Sequence, residues 1–408
     1  MKPRTLSSAI QRAVKTFPAI VVTGPRQSGK TTLLKALYAK THKFVTLEDP
    51  DTRLRASVDP RSFLDTHRPP VIIDEIQYAP ELLSYIKTSI DEKRKPGQWL
   101  FTGSQNFALM QGVSESLAGR AAIFSLLPFS YSERLGVGDK SFNPSEFFKK
   151  ALKPVRVQVK RTRVSIADTI LRGSYPEIAS RKTVDRKLWS GSYIATYLER
   201  DVRAIANIGD LNQFERFLWL AATRTGTILN LSDMARDIGI SVTTAKRWLS
   251  ALEASYQVYL LYPYYRNIGK RLVKSPKMYF NDTGLASYLL GIHTKETLIN
   301  SPHFGALFET LVITDFWKRF LHHGESPTLY YLRTRDGLEV DLVLEINTRL
   351  HLFEIKSTAT VMPRHGASLI RAQRSLPDTA SASVISQGKK SFISQGISYW
   401  NWDSLLAL

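Results

Sequence analysis

The stretch 19-AIVVTGPRQSGKTTLLKAL-37 decides the fold of the chain. Residues 19–23 are apolar and mostly β-branched, which is typical of a buried strand, and residues 32–37 have a helical pattern. The motif GxxxxGK[ST] lies between them, in the strand-loop-helix context that it requires. Backbone N–H groups of such a loop, together with the N-terminus of the helix, bind phosphate. The residues predicted to bind ATP are Gly24, Pro25, Arg26, Gln27, Ser28, Gly29, Lys30, Thr31 and Thr32.

A second strand, residues 70–77 with the sequence PVIIDEIQ, contains two adjacent acidic residues. Burying two carboxylates at the end of a strand is costly unless a cation and a water molecule use them. We therefore expect Asp74 and the Thr31 hydroxyl to hold the Mg²⁺ of ATP, and Glu75 to polarise the attacking water. Lys30 is expected to reach the β and γ phosphates.

Two further polar residues are candidates for the same reaction. A third strand-like stretch, residues 98–105, places Ser104 where such enzymes hold a polar group against the γ phosphate and the water. Arg120 opens another strand and is a candidate for stabilising transition-state charge, in its own subunit or in a neighbouring one. An ordinary surface arginine fits that position equally well.

The composition predicts a globular protein with a polyanionic partner. The 408 residues include 56 Lys and Arg against 36 Asp and Glu, a formal net charge of +20. This surplus favours DNA or RNA as a partner, with an acidic membrane surface as the alternative. We find neither an apolar stretch long enough to span a bilayer nor a signal-peptide pattern, so we expect a cytoplasmic protein outside the membrane. Without cysteine, disulfides and Cys-ligated zinc cannot form.

Changes of pattern along the chain predict four units of an α/β protein. Alternating strand and helix patterns predict a parallel sheet covered by helices in residues 1–148. A basic, weakly patterned linker and helical segments follow in residues 149–225. Residues 226–278 contain a helix-turn-helix pattern, and helix and strand patterns return in residues 279–408.

The helix-turn-helix pattern suits contact with DNA. Its first helix starts at Leu231 and is ended by Gly239, and Ser241 caps a second helix that runs to Glu253. The polar face of the second helix can lie on a phosphate backbone or in a groove of DNA. A lid that packs on the ATPase unit, and solvated loop charge in the stretch that follows, are the alternatives. The residues predicted to contact DNA are Thr243, Thr244, Lys246, Arg247, Lys270 and Arg271, with Lys274 and Lys277 in the same basic, tyrosine-rich stretch.

Alternating apolar and polar residues near the end of the chain, within 339–356, predict two adjacent strands. A two-residue turn at Asn347–Thr348 would connect them. With that turn, the period of the strands places Asp341 directly opposite Glu354, and Lys356 on the same face.

Two carboxylates opposed in this way repel each other unless a cation joins them. We therefore predict a Mg²⁺ that bridges Asp341 and Glu354, with Glu309 of a preceding helix completing its shell. Lys356 would then lie near the attacking water. A solvated strand face is the alternative, since Asn-Thr is a weaker turn signal than Asn-Gly.

Several runs of the sequence, in this order, resemble one class of prokaryotic AAA+ ATPases. They are GPRQSGKTTLL (24–34), VIIDEIQ (71–77), FTGSQNF (101–107), SLAGRAAIFSLLPFS (116–130), LRGSYPEIASR (171–181), YLERDV (197–202), KSPKMYFNDTGLASYLLG (274–291) and GALFETLV (305–312).

The resemblance implies a P-loop AAA+ domain, then a helical and winged-helix region, then a restriction-endonuclease-like α/β domain. ATP and Mg²⁺ are the implied cofactors. The order and spacing of Asp341 and Glu354-Ile355-Lys356 are similar to the PD-(D/E)xK signature of nucleases.

Two functions are compatible with these features. The first is an ATP-dependent DNA-processing enzyme, in which the AAA+ domain powers or licenses a metal-dependent nuclease-like domain through a winged-helix contact with DNA. The second is a nucleotide-dependent switch that binds DNA or a protein partner and whose nuclease fold is inactive. The sequence leaves open whether the DNA is branched, linear or single-stranded, and whether the chain forms a homo-oligomeric ring.

Overall fold

A computed structural model describes five stretches of the chain, residues 2–104, 116–138, 164–197, 210–265 and 274–408. The first two stretches contain a parallel α/β unit. Its elements are α1 (Leu6–Ala13), β1 (Ala19–Thr23), α2 (Lys30–Tyr38), β2 (Lys43–Thr46), α3 (Pro50–Val58), α4 (Pro60–Thr66), β3 (Val71–Asp74), a 3₁₀ turn (Ile76–Tyr78), α5 (Leu82–Glu92), β4 (Trp99–Gly103), β5 (Ala121–Ser125) and α6 (Tyr131–Arg134).

The five strands of this unit form one parallel sheet in the order β2-β3-β4-β1-β5. Strands β1, β3 and β4 are buried along their whole length, as expected for apolar strands covered on both faces. Pairing aligns Thr23 with Gly103 and Thr46 with Asp74, so the carboxyl ends of four strands meet at one edge. The predicted α/β class and the strand-loop-helix of residues 19–37 are confirmed.

A helical region and a small sheet follow. In the sheet, β8 pairs antiparallel with both β6 and β7. The elements are α7 (Ile166–Arg172), α8 (Pro176–Ser180), α9 (Arg186–Tyr197), α10 (Leu211–Thr223), β6 (Thr227–Ile228), α11 (Leu231–Ile238), α12 (Val242–Ala254), β7 (Val258–Leu261) and β8 (Lys277–Phe280).

The predicted helix pair is present as α11 and α12. Asn230 caps α11, and Gly239 ends it in the left-handed conformation, with φ 78°. The Ser241 hydroxyl accepts the N–H of Thr244 at 3.0 Å and so caps α12. Trp248 lies on the buried face of α12, which fixes the opposite face as the exposed one.

The C-terminal unit is a six-stranded mixed sheet in the order β13-β14-β12-β11-β10-β9. Strands β11, β12 and β14 are parallel, whereas the β9-β10-β11 part and β13 are antiparallel. The elements are α13 (Thr283–Leu289), α14 (Lys295–Ile299), α15 (Phe304–His323), β9 (Leu329–Arg333), β10 (Glu339–Ile346), β11 (Arg349–Lys356), a 3₁₀ turn (Pro363–Gly366), α16 (Ala367–Ser375), β12 (Thr379–Ser386), β13 (Phe392–Ser394), β14 (Ile397–Asn401) and α17 (Trp402–Leu406).

The hairpin of β10 and β11 has the predicted turn and register. Asn347–Thr348 has positive φ at both residues, 47° and 65°, as a two-residue type I′ turn requires. Leu342 pairs with Phe353 in the ladder. Continued by one residue, this register places Asp341 opposite Glu354, so the predicted register is confirmed.

One hydrophobic core extends across the helical region, the small sheet and the C-terminal unit. It joins buried residues from Leu127, after β5, to Leu406 in α17. The boundary predicted between residues 278 and 279 falls inside β8, so the third unit reaches at least Phe280. The boundary predicted after residue 148 lies outside the described residues.

A buried ion pair joins α1, the parallel unit and α15. The Nε atom of Arg4 lies 3.3 Å from Oε1 of Glu133, and Oε2 of Glu133 lies 3.2 Å from Nδ1 of His322. Burial lowers the pKa of His322, and its Nε2 atom accepts the N–H of Leu127 at 3.2 Å, so the ring is neutral at pH 7. Arg4 is therefore the full positive charge in contact with Glu133.

None of the helices in the described stretches combines the length and the apolarity needed to cross a bilayer.

We expect Glu133→Gln to destabilise the protein. Burial alone would raise the pKa of Glu133, but the Arg4 charge, with hydrogen bonds from the His322 ring and the Thr5 N–H, outweighs burial and holds it well below its usual range. The amide leaves the buried Arg4 charge unpaired, which costs about 3–5 kcal/mol and lowers the midpoint of urea unfolding at pH 7. The depressed pKa also means that the wild type loses this stabilisation as pH falls below the unfolded value of about 4.5.

The matched control for this substitution is Glu81→Gln, which changes an exposed carboxylate. It should leave the unfolding midpoint within the range of neutral surface substitutions, about 0.5 kcal/mol. Equal midpoints for the two variants would mean that the buried pair does not hold the units together.

Candidate functional site

The loop after β1 has the backbone shape that phosphate binding requires. Gly24 has φ 141°, and a Cβ atom there would lie 2.2 Å from the carbonyl oxygen of Leu126, so only glycine fits. Gly29 has φ 94° directly before α2. The Nζ atom of Lys30 donates to the carbonyls of Gly24 and Pro25, each at 3.0 Å. The loop therefore curls around the amino group of Lys30, at the carboxyl edge of the sheet.

Asp74 accepts hydrogen bonds from three hydroxyl groups at this edge. Thr31 and Thr102 each donate to its Oδ1 atom at 2.6 Å, and Thr46 donates to Oδ2 at 3.2 Å. The predicted Mg²⁺ ligands Thr31 and Asp74 are thus in direct contact, and oxygen donors of this kind suit Mg²⁺. The pair fits the Mg²⁺ that accompanies ATP, which would neutralise phosphate charge there.

Glu75 follows β3 in an unusual backbone conformation, with φ 55°. Its N–H donates to the Thr102 hydroxyl at 3.0 Å, and its carboxylate accepts from the Ser104 hydroxyl at 2.9 Å. The amide of Gln77 also donates to the Glu75 carboxylate and, at 3.3 Å, to Ser104. Glu75 and Ser104, predicted as reaction partners, therefore lie together, and their neighbour Gln77 was not predicted.

A pocket of about 380 Å³ lies in front of these residues. Helix α9 of the helical region forms one wall, which the sequence did not predict. Its lining residues are Arg26, Gln27, Gly29, Lys30, Thr31 and Thr32 from the loop and α2, Glu48 and Glu75 from the sheet edge, and Tyr193, Thr196 and Tyr197 from α9.

Arg4 is hydrogen-bonded to the backbone of the phosphate loop. Its Nη1 atom donates to the carbonyl of Ser28 at 2.9 Å, and its Nη2 atom donates to the carbonyl of Leu127 at 2.5 Å. Ser28 itself is fully buried, so its predicted contribution to phosphate binding is through the backbone. No motif pointed to Arg4, because its partners are distant in sequence.

Arg120 lies away from the pocket of its own chain. It directly precedes β5 and accepts the N–H of Ala19 at its carbonyl, so it lies at the amino edge of the sheet, opposite the phosphate loop. Its guanidinium forms a bidentate pair with Asp91, at 2.6 and 2.8 Å. Five residues of strand separate the two edges, roughly 16 Å. This position and the pairing with Asp91 favour the ordinary surface arginine over a role in its own subunit, and a role in a neighbouring subunit stays a prediction.

The pocket wall is hydrogen-bonded to the end of α12. The hydroxyl of Tyr197 lies 2.7 Å from that of Ser255, the residue that ends α12. The next residue, Tyr256, has its hydroxyl 3.0 Å from that of Ser125 at the carboxyl end of β5. The segment 255–257 therefore contacts both the pocket wall and the parallel sheet.

The residues predicted to contact DNA lie at the start of α12. Thr243, Lys246 and Arg247 are exposed, and Thr244 is half-buried because it closes the cap with Ser241. Lys270 and Arg271 lie outside the described residues. Lys277 was wrongly expected on the surface: its side chain is only 6% exposed.

Four carboxylates from three elements lie around Lys277 and Lys356. The Nζ atom of Lys277 is 3.0 Å from Glu339, 3.5 Å from Glu309 and 3.9 Å from Asp341. The hydroxyl of Tyr279 donates to Glu309 at 2.6 Å. We call Glu309, Glu339, Asp341, Glu354, Lys277 and Lys356 the C-terminal cluster.

Asp341 and Glu354 are held by their neighbours on β11 and α16. Oδ2 of Asp341 accepts the N–H of Ile355 at 2.8 Å. Glu354 lies 2.5 Å from the amino group of Lys356, and it accepts from the Ser368 hydroxyl at 3.0 Å. The structure thus brings together all four residues predicted for this site, Glu309 included.

The acids of the C-terminal cluster disfavour one another's charge. Burial, followed by Asp341, raises the pKa of Glu309 to about 7 and that of Glu354 to about 6. Burial also raises the pKa of Asp341. Within the described stretches, no group of three or more His, Cys, Asp or Glu side chains forms a metal-binding shell. The predicted Mg²⁺ shell does not fit as arranged, because the Lys277 ammonium lies between Glu309 and Asp341.

Three family models match the chain. An AAA domain matches residues 16–135. A domain of unknown function (DUF8612) matches residues 163–296, and a domain of unknown function (DUF4143) matches residues 304–405. The AAA match contains the whole loop together with Asp74 and Glu75, so the chain contains an ATPase domain whose phosphate loop lines this pocket.

Two curated proteins are similar over most of the chain. They are uncharacterized protein Rv2008c of Mycobacterium tuberculosis and uncharacterized protein Mb2031c of Mycobacterium bovis. Each is 32% identical over 361 residues, which are 88% of this chain and 74% of the relative.

Among solved structures, the Walker-type ATPase PABY2304 of Pyrococcus abyssi aligns with a TM-score of 0.42 and 14% identity. The alignment covers 70% of this chain and 94% of that one. The RuvB Holliday junction branch migration motor of Thermotoga maritima aligns with a TM-score of 0.30 and 16% identity, over 62% and 86% of the two chains.

Substitutions of Lys30 and Glu75 should affect different steps. Lys30→Ala removes a phosphate-binding charge and should weaken ATP binding. Glu75→Gln keeps the pocket but removes the base that polarises water, so ATP should bind while turnover falls at least about 100-fold. Calorimetric titration of ATP and steady-state phosphate release measure the two effects. Glu92→Gln, an exposed carboxylate at the end of α5, is the control, and normal turnover in Glu75→Gln would contradict its assigned role.

Proposed function

The chain contains an AAA domain and belongs to the same family as its two mycobacterial relatives, and we propose that it couples ATP hydrolysis to an action on DNA. One observation carries the proposal. Tyr197 lines the nucleotide pocket and is hydrogen-bonded to Ser255 at the end of α12, whose other end presents Lys246 and Arg247. We expect a change in the pocket that moves Tyr197 to reach this basic helix through Ser255.

The surroundings of α12 support DNA as the ligand of that helix. The order α10, β6, α11, α12, β7, β8 is the order of helices and strands in a winged-helix domain, in which the last helix of the pair lies in a DNA groove. The net charge of +20 favours the same partner, because each phosphate contact releases a counterion.

We further propose that the C-terminal unit is a nuclease-like domain. A helix bearing Glu309, the strands bearing Asp341 and Glu354-Ile355-Lys356, and a parallel strand beside them follow the PD-(D/E)xK arrangement. In it, Lys356 is the cation that contacts Glu354 and would face the phosphodiester. The rival function, a nucleotide-dependent switch with an inactive nuclease fold, is favoured by Lys277, which already occupies the C-terminal cluster.

Binding of DNA should depend steeply on salt, and Lys246 and Arg247 should account for part of that dependence. The double charge reversal Lys246→Glu, Arg247→Glu removes two phosphate contacts, so the slope of log affinity against log salt should fall by about 2. Fluorescence anisotropy with labelled duplex, single-stranded and branched DNA between 50 and 200 mM salt, roughly the range over which counterion release is visible, measures the slope.

The matched control is Lys389→Glu, Lys390→Glu, an adjacent exposed pair in the loop between β12 and β13 with the same change in charge. It should weaken binding less and leave the slope nearly unchanged. Identical slopes for the two double variants would place the DNA contact elsewhere, and affinity independent of salt would contradict a phosphate-binding surface.

If the C-terminal cluster cleaves DNA, Asp341→Ala or Lys356→Ala should abolish cleavage and leave ATP turnover largely intact. The reason is that the nucleotide pocket contains no residue of the cluster. Gel analysis of labelled DNA with ATP and Mg²⁺ or Mn²⁺, beside phosphate release from the same samples, measures both activities. A wild type that cuts no DNA structure would instead support the rival function.

A further inference from the structure

Lys277 is a buried cation that lies on a strand of the small sheet and forms its ion pairs with acids of the C-terminal unit. It is the first residue of β8 in the small sheet, yet its amino group lies in the C-terminal cluster. Its shortest contact is 3.0 Å, to Glu339, and its side chain is 6% exposed. The ring of Tyr331 lies 5.6 Å away and forms part of the wall around it.

The position of this ammonium follows from electrostatics. A lysine buried without a counter-charge costs several kcal/mol, and so does a buried carboxylate, so each needs the other. Lysine carries a compact charge with three N–H donors, and here three carboxylates surround it, those of Glu309, Glu339 and Asp341. Without Lys277 these three acids would face one another with no cation between them.

A divalent cation cannot share the same oxygens with Lys277. Mg²⁺ binds carboxylate oxygens at about 2.0–2.1 Å in an octahedral shell. The ammonium holds the acids at 3.0–3.9 Å from its own nitrogen, and it would repel a second cation at that distance. On the other side, Lys356 and Ser368 already contact both oxygens of Glu354. Two ammonium groups, those of Lys277 and Lys356, therefore already contact the four carboxylates of the cluster.

We propose that Lys277 is the resident cation of the C-terminal cluster and decides whether a divalent ion can enter it. With Lys277 in place, the site excludes the ion; with its charge removed or withdrawn, Glu309, Glu339 and Asp341 become a cation site. The inference rests on the proposed function only in taking this cluster as the functional site of the C-terminal unit.

The other end of β8 contacts the segment that follows α12. Asn281, directly after β8, receives contacts from the segment that follows α12: its N–H donates to the Gln257 carbonyl at 2.8 Å and its side-chain amide to the Tyr256 carbonyl at 2.9 Å. That segment begins at Ser255, the partner of Tyr197 in the nucleotide pocket. The segment next to the pocket therefore contacts the far end of the strand that carries Lys277, and a shift of that strand would move the ammonium relative to the C-terminal acids.

The test is direct binding of Mn²⁺, measured by electron paramagnetic resonance of the free ion on the full chain without nucleotide. Lys277→Met keeps the apolar stem and removes the charge. The variant should bind one Mn²⁺ more than the wild type does. Its affinity for that ion should be at least about tenfold higher than that of the wild type, because in the wild type a unit charge some 4 Å away opposes the ion. Adding Asp341→Asn to Lys277→Met should remove the gain. Lys93→Met, an exposed lysine with the same change, should behave as the wild type.

The inference is overturned if folded Lys277→Met binds Mn²⁺ no better than the wild type, or if the wild type already binds the additional ion. Lys277→Gln, which drops the charge but keeps N–H donors for Glu339, gives the same test should the methionine variant not fold. DNA is absent from the measurement, so failure of DNA binding or cleavage counts against the proposed function alone.

Discussion

The buried pair of Arg4 and Glu133 is the constraint on which the arrangement of the units depends. Arg4 holds the Ser28 carbonyl of the phosphate loop, and Glu133 lies beside His322 of α15. A charge buried this deeply is tolerated only with its partner in place, so α1, the loop and α15 take up one relative position. The backbone of the nucleotide site is therefore fixed by contacts with the part of the chain that carries the C-terminal cluster.

The nucleotide site and the C-terminal cluster both hold buried acids, but the groups that contact those acids differ. At the carboxyl edge of the parallel sheet, Asp74 is surrounded by hydroxyl donors, which leaves its oxygens suited to the Mg²⁺ of ATP. In the C-terminal cluster, ammonium groups surround the acids instead. The first site is built to receive a cation with its ligand, whereas the second already holds the ammonium of a lysine that another unit supplies.

Much of both sites could be predicted, because the informative patterns are local. The phosphate loop between strand and helix places Lys30, and the turn at Asn347–Thr348 sets the register that brings Asp341 to Glu354. Lys277 could not be predicted, since its partners come from distant elements and basic residues near tyrosines usually lie on the surface. For Arg120 the sequence already favours the surface alternative within its own subunit, because a residue before a parallel strand lies at the amino edge, opposite the phosphate loop.

The nucleotide pocket and α12 are proposed to change together, because Tyr197 of the pocket is hydrogen-bonded to Ser255 at the end of α12. Steady-state ATP turnover with and without DNA tests it most directly, in the wild type and in Ser255→Ala, which lacks the hydroxyl that contacts Tyr197. The account predicts that DNA raises turnover of the wild type and that Ser255→Ala keeps its basal turnover but loses the increase. Turnover of the wild type that is the same with and without DNA would contradict it.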